Sequence, residues 1–125
     1  MGKPAFIHLL FNLNQLVMSS VETYKKSMEI EFFLRNNLNL KPGSRTDRNL
    51  KDYYQSIVWY EEGKMRMPPS QFKKHFERLL KHFEKVIDKK TNSTNRMRAQ
   101  QIKSRIPYME GSGDILYLFE LVKSL

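Results

Sequence analysis

SQFKKHFERLLKHFEKVID, residues 70–88, carries Phe72, Phe76, Leu79, Phe83 and Ile87 at steps of three and four, with Leu80 alongside. That spacing lays the apolar side chains along one face of an α-helix. Lys73, Lys74, Glu77, Arg78, Lys81, Glu84, Lys85 and Asp88 fill the other faces. Ser70 stands where a side-chain oxygen caps the first turn. Strand alternation is absent here and hard to find elsewhere, so the chain is read as helices.

Upstream, Leu50, Tyr53, Tyr54, Ile57 and Val58 repeat the pattern, with Trp59 beside them. They predict a helix over about 47–62, capped by Thr46 or Asp47 and ended by Gly63. Met67-Pro68-Pro69 separates it from the next helix. A longer apolar segment precedes both, from about Pro4 to Asn36. Its expected buried face is Phe6, Leu10, Leu13, Val17, Val21, Tyr24 and Met28. Ser19-Ser20 is a candidate bend or break, and Asn36-Asn37 with Lys41-Pro42-Gly43-Ser44 ends the segment.

Downstream of residue 88, Lys89 to Ser93 form a short turn. A fourth helix is expected over about 94–106, capped by Ser93 or Thr94, with a thin apolar side of Met97, Ile102 and Ile106. Pro107 and Gly111-Ser112-Gly113 close it. A fifth helix over about 114–124 starts at Asp114 as its cap. Ile115, Leu118, Phe119, Val122 and Leu125 share one side, while Leu116, Tyr117 and Leu121 cover the other. So apolar a helix belongs against a partner, and the first segment is the expected one. The fold class is therefore all-α, with about five helices in a single domain over 1–125. It divides into an N-terminal segment (1–40), a basic tri-helical unit (44–106) and a C-terminal apolar helix (114–125).

A chain of 125 residues can bury one ordinary core. With no cysteine it has no disulfide framework, no Cys-based zinc site and no thiol nucleophile. The net charge of +9 is unevenly spread. Residues 1–34 are neutral, residues 35–105 hold 18 basic against 7 acidic side chains, and residues 106–125 are slightly acidic. Apolar ends with a basic middle predict protein packing at the ends and a polyanion at the middle. Ala5 to Met18 is interrupted by His8, Asn12, Asn14 and Gln15 and is too short to span a bilayer. The expectation is an intracellular protein without a membrane segment.

Tests for chemistry yield nothing that points to an enzyme. His75 and His82 are seven residues apart, too far along a helix for joint metal ligation. Glu61-Glu62 and the Glu29/Glu31 pair read as solvated helix faces. Gly111-x-Gly113 lacks the remaining glycines and the preceding strand of a phosphate loop. No catalytic residue, cofactor or metal is therefore expected.

The basic run is the strongest signal. Lys85, Lys89, Lys90, Arg96, Arg98, Lys103 and Arg105 meet only one acid, Asp88, between 85 and 105. Arg98, Gln101 and Arg105 form one stripe of the fourth helix, and Arg96, Gln100 and Lys103 another. Arginine and glutamine pair with base edges, and lysine and arginine neutralise phosphates. Lys89, Lys90, Asn95, Arg96, Arg98, Gln101, Lys103 and Arg105, with Arg45 and Arg48 at the start of the unit, are the expected nucleic-acid contacts. Duplex DNA is favoured as partner, with RNA open. Leu116, Phe119, Leu121 and Leu125 are the expected contacts to other protein subunits.

The three helices of 44–106, with a short turn before a basic last helix, resemble homeodomain-like helix-turn-helix DNA-binding domains. Asn95-Arg96-Met97-Arg98-Ala99 is similar to the Asn-Arg-Arg-Ala stretch of the homeodomain recognition helix. The resemblance implies that Asn95, Arg96 and Arg98 face the major groove. It also implies that Lys41, Arg45 and Arg48 act like the family's basic arm. Small proteins of this kind serve as nuclear DNA-binding subunits of transcription or DNA-modifying complexes. Two other readings stay open: a helical adapter whose basic face meets acidic protein, and a single-strand binder stacking bases on Tyr53, Tyr54, Trp59 and Tyr60.

Overall fold

The structure, a computed structural model, describes the backbone of residues 2–41 and 45–125, and the side chains of residues 20–41, 50 and 52–125. The expected stop at Pro42-Gly43-Ser44 and the capping side chains of Thr46 and Asp47 lie outside the described residues. So do the side chains of Phe6, Leu10, Leu13, Val17, Arg45 and Arg48.

The described residues form five α-helices: α1 (Gly2–Leu38), α2 (Arg45–Glu61), α3 (Pro69–Lys90), α4 (Arg96–Arg105) and α5 (Ser112–Lys123). A single 3-10 turn, Ile106–Tyr108, follows α4, and no strand occurs among the described residues. The fold is all-α, as the apolar spacing predicts.

Local chemistry sets the helix ends. α1 runs through Ser19-Ser20 without a break and stops where Asn39 turns left-handed at φ 50°. Asparagine tolerates that conformation, and the Leu40 N–H reaches back to the Arg35 carbonyl at 3.4 Å. α2 closes on Gly63 at φ 74°, with Gly63 N–H to Tyr60 O at 3.1 Å and Lys64 N–H to Trp59 O at 2.8 Å. These are the paired bonds of a glycine C-terminal motif. Ser70 is not the cap of α3. The helix starts one residue earlier, at Pro69, whose missing N–H costs nothing in a first turn.

α1, α2 and α3 pack together, and α5 lies against α3 and α2. α5 meets α1 through an edge-on contact of Phe33 with Phe119, centroids 5.3 Å apart, so α3 rather than α1 is its main partner. One apolar cluster joins all five helices, centred on Phe83, Leu79, Ile57, Leu34, Phe119 and Ile115. The α2 stripe is buried as its spacing predicts, as are Phe76, Leu79, Phe83 and Ile87 of α3. Phe72 and Leu80 pack on the edge of the same core.

α1 departs from expectation. Thr23, Ser27, Ile30 and Leu34 face the core, while Val21, Tyr24, Met28 and Phe32 stand exposed. The two rows interleave along the helix, and tertiary packing selects the row with the smaller hydroxyl residues. The turn after α2 reaches α1 at Ser20, where the Lys64 Nζ donates to Ser20 Oγ at 3.4 Å.

Candidate nucleic-acid interface

α4 packs against α3 and α5 with a narrow face. Ala99, Ile102 and Ile106 are buried and set its orientation. Met97, expected on the apolar side, is instead 77% exposed, and Ala99 takes its place. Two turns of a 3.6-residue helix bring Ala99, Ile102 and Ile106 to one line, whereas Met97 lies nearly opposite.

The turn into α4 is built from asparagines. Asn92 Oδ1 accepts the N–H groups of Thr94 and Asn95 at 2.8 and 3.0 Å. Asn95 Oδ1 accepts the Asn92 N–H at 2.7 Å, and its Nδ2 donates to the Lys90 carbonyl at 2.9 Å. Asn95 therefore holds the α3–α4 turn, and its side chain is committed there. α4 begins at Arg96, so neither Ser93 nor Thr94 caps it.

The basic side chains fall in two rows on either side of α4. On the α5 side, Arg98 donates to Ser124 Oγ at 2.5 Å, and Arg105 donates to the Tyr117 hydroxyl while lying over its ring. On the α3 side, Lys103 pairs with Asp88 at 2.7 Å. The Asp88 carboxylate, accepting that hydrogen bond, raises the Lys103 ammonium above its usual range. Arg96, Lys103 and Gln100 border a shallow hollow against Asp88 and Thr91. Between the rows, Met97, Gln101 and Ser104 are exposed, and Tyr108 continues the line at 83% exposure.

Besides Asn95, two expected contacts do other work. Lys90 donates to the Val122 and Lys123 carbonyls at 3.0 and 3.4 Å and so caps α5. Its ammonium also lies 5.4 Å from the Phe33 ring centre. Lys89 donates to the Asn37 carbonyl near the end of α1 at 3.1 Å. Lysine at these carbonyl-rich helix ends meets the negative end of the helix dipole. The structure thus brings Arg96, Arg98, Gln101, Lys103 and Arg105 together on α4 and spends Lys89, Lys90 and Asn95 on the fold.

Of the four residues expected to meet protein subunits, Phe119 is the one that the structure buries. Phe119 is 2% exposed, packed between Phe33 and Phe83, and Leu116, Leu121 and Leu125 lie half-buried against the core. An aromatic ring in that position serves the core. Tyr53 and Tyr54 are likewise buried, and Tyr60 stacks on Phe72 at 4.6 Å, so these rings offer no open platform for bases. Sequence reasoning missed Tyr108 and Ser104. The signal was there as the spacing 97, 101, 104, 108, hidden by the assignment of Met97 to the core and by Pro107.

Among the described residues, no group of three or more His, Asp or Glu side chains is placed to hold a metal ion. No helix of the described residues is long and apolar enough to cross a membrane. A shallow groove between α3 and residues 106–110 has an apolar floor of Phe72, Phe76, Leu80 and Met109. Its rim carries Lys73, Glu77, Lys81, Glu84 and Glu110, with no histidine, serine or cysteine among the lining residues. No protein-family model, curated protein or solved structure matches the chain.

Proposed function

We propose that this chain is a non-catalytic nucleic-acid-binding protein that holds duplex DNA through α4, as a helix-turn-helix subunit of a larger nuclear complex. One observation carries the reading. α4 buries only a narrow stripe and presents Arg96 and Lys103 along one side, Arg98 and Arg105 along the other. A helix with cations on both sides matches a groove with phosphates on both sides. The major groove of B-form DNA is about 12 Å wide and admits a helix, whereas the A-form groove of duplex RNA does not. The hydroxyls that hold Arg98 and Arg105 are neutral, so both guanidinium charges remain available to phosphate.

The test is binding of the purified chain to labelled duplex DNA, single-stranded DNA and RNA across a salt series. The comparison is a variant with Arg96, Arg98 and Arg105 each changed to Glu. Duplex binding is expected, with affinity falling about one log unit per log unit of salt for each phosphate neutralised. The variant is expected to lose binding and stay folded, since all three side chains are exposed. Retained binding by the variant overturns the assignment of α4. Absence of nucleic-acid binding by the folded wild type overturns the whole reading.

A second reading, a helical adapter, draws on the exposed row Val21, Tyr24, Met28 and Phe32 of α1. Contiguous exposed apolar surface of this kind marks partner sites. Its spacing fits the apolar face of another helix, and Glu22, Lys25 and Glu29 flank it with charges of both signs. This reading expects poor nucleic-acid affinity in the isolated chain, so the same titration separates the two.

A further inference from the structure

Met97 and Tyr108 are the most exposed large apolar side chains described, at 77% and 83%. They are not scattered. Met97, Gln101 and Ser104 follow at steps of four and three on the side of α4 opposite the buried line of Ala99, Ile102 and Ile106, and Tyr108 comes four residues on, in the 3-10 turn. The cation rows lie about a quarter turn to either side of this row. From Met97 through the 3-10 turn to Tyr108 the chain rises about 17 Å, the rise of roughly five base pairs. If the flanking cations sit on the two phosphate backbones, this row faces the floor of the groove.

The chemistry of the row is selective. The Gln101 carboxamide has a donor and an acceptor side by side, which matches N7 and the N6 amino group of adenine. The Met97 side chain is apolar and flexible, suited to the C5-methyl group of thymine. The row holds no carboxylate to accept from the cytosine amino group, and no arginine to bracket guanine O6 and N7. Resting on the reading of α4 as a DNA-binding helix, we infer that Met97 and Gln101 are its sequence-reading residues and that they select a short major-groove site containing an A·T pair. Asn95 takes no part, because both ends of its amide are bonded within the α3–α4 turn.

The probe is a library of duplex DNA with a randomised 20-base-pair centre, bound at moderate salt, recovered and sequenced. It is applied to wild type, Gln101→Ala, Met97→Ala and the Arg96/Arg98/Arg105 charge-reversal variant. Wild type is expected to enrich a motif of about four to five base pairs containing adenine. Gln101→Ala is expected to lower discrimination at the adenine about tenfold, and Met97→Ala to weaken the adjoining thymine preference by less. Neither should change the salt slope on a random duplex, nor the melting temperature, since both side chains are exposed. Enrichment of G·C sites, enrichment unchanged in Gln101→Ala, or salt-dependent binding with no enriched motif overturns this inference and leaves the DNA-binding reading intact. The same motif preference on the matching duplex RNA also overturns it. Failure of wild type to bind any duplex overturns both.

Discussion

Glu61, at the last turn of α2, reaches the first turn of α5 and accepts the Ser112 N–H on Oε2 at 3.1 Å. Residues 51 apart are thereby joined, and a carboxylate satisfies an amide that α5 leaves unpaired at its positive end. Gly111 makes room for it. A Cβ at Gly111 would stand 2.6 Å from Glu61 Oε2, although the backbone there is extended and suits any residue. Gly111→Ala should therefore displace the carboxylate and destabilise the fold by about 1–2 kcal/mol, the value of a lost helix cap. Glu61→Ala should cost a similar amount. In the Glu61→Ala background the alanine at 111 should cost little, because the clash is gone. Denaturant melts of both single variants and the double variant check this, and additive losses would falsify the coupling.

The orientation of α4 is open to a direct test. Ile102 is buried and should cost about 2–4 kcal/mol when cut to alanine. Met97→Ser should change stability by no more than about 0.5 kcal/mol, as for other exposed positions. A large loss at Met97 with a small one at Ile102 would show the helix rotated by half a turn and remove the basis of the candidate interface.

Ser27 is 3% exposed on the core side of α1, and its hydroxyl oxygen has no hydrogen-bond partner among the described residues. An unpaired buried hydroxyl costs about 1–3 kcal/mol, and alanine is also the better helix former. Ser27→Ala should stabilise the protein by about 1 kcal/mol, seen as a higher urea midpoint at unchanged slope. A loss of stability would place a partner on that oxygen.

These residues show what was legible in the sequence and what was not. The α3 row could be read because its polar faces leave one choice of buried side. α1 could not, because apolar side chains occur on more than one face and the core took Thr23 and Ser27 in preference to Tyr24 and Phe32. The basic character of α4 was plain. Its rotation was not, because Met97 scores as apolar while Ala99 offers too small a side chain to notice. Pairings across the fold, such as Lys90 with the end of α5, have no local signature at all.

Two histidines of α3 tie stability to pH. His75 and His82 lie beside Tyr53, with ring centres 5.3 and 6.5 Å from it. Burial, with Arg78 nearby, lowers the pKa of His75; burial, with Lys85 and Arg78, lowers that of His82. His82 Nδ1 donates to the Arg78 carbonyl at 2.6 Å, so the neutral ring carries its proton there. Above the unfolded value near 6.5 both states are neutral and the groups contribute no slope. As pH falls below it the unfolded chain binds protons first, and stability drops until the folded-state values are passed. Thermal melts from pH 7.5 to 5 should show this fall, flattened in a His75→Gln/His82→Gln variant. An equal slope in that variant assigns the pH dependence to carboxylates instead.

Asp88 is the acid set against the α3-side cations of α4, and its removal tests the interface without weakening the fold. Its bond to Lys103 is 2.7 Å, but the two side chains are 62% and 43% exposed. Pairs so open to water contribute about 0–1 kcal/mol, so Asp88→Asn should barely move the melting temperature. Its effect on DNA should be larger. The substitution removes a negative charge beside the phosphates and frees the Lys103 ammonium to contact one. Duplex affinity should rise, and the slope of log affinity against log salt should steepen by about 0.9, one further counterion released. Glu22→Gln, the same change of one charge at an exposed position of α1, serves as the control for net charge alone. If Asp88→Asn leaves the slope unchanged, the Arg96/Lys103 side of α4 does not meet phosphate, and the cations along Arg98 and Arg105 carry the contact by themselves.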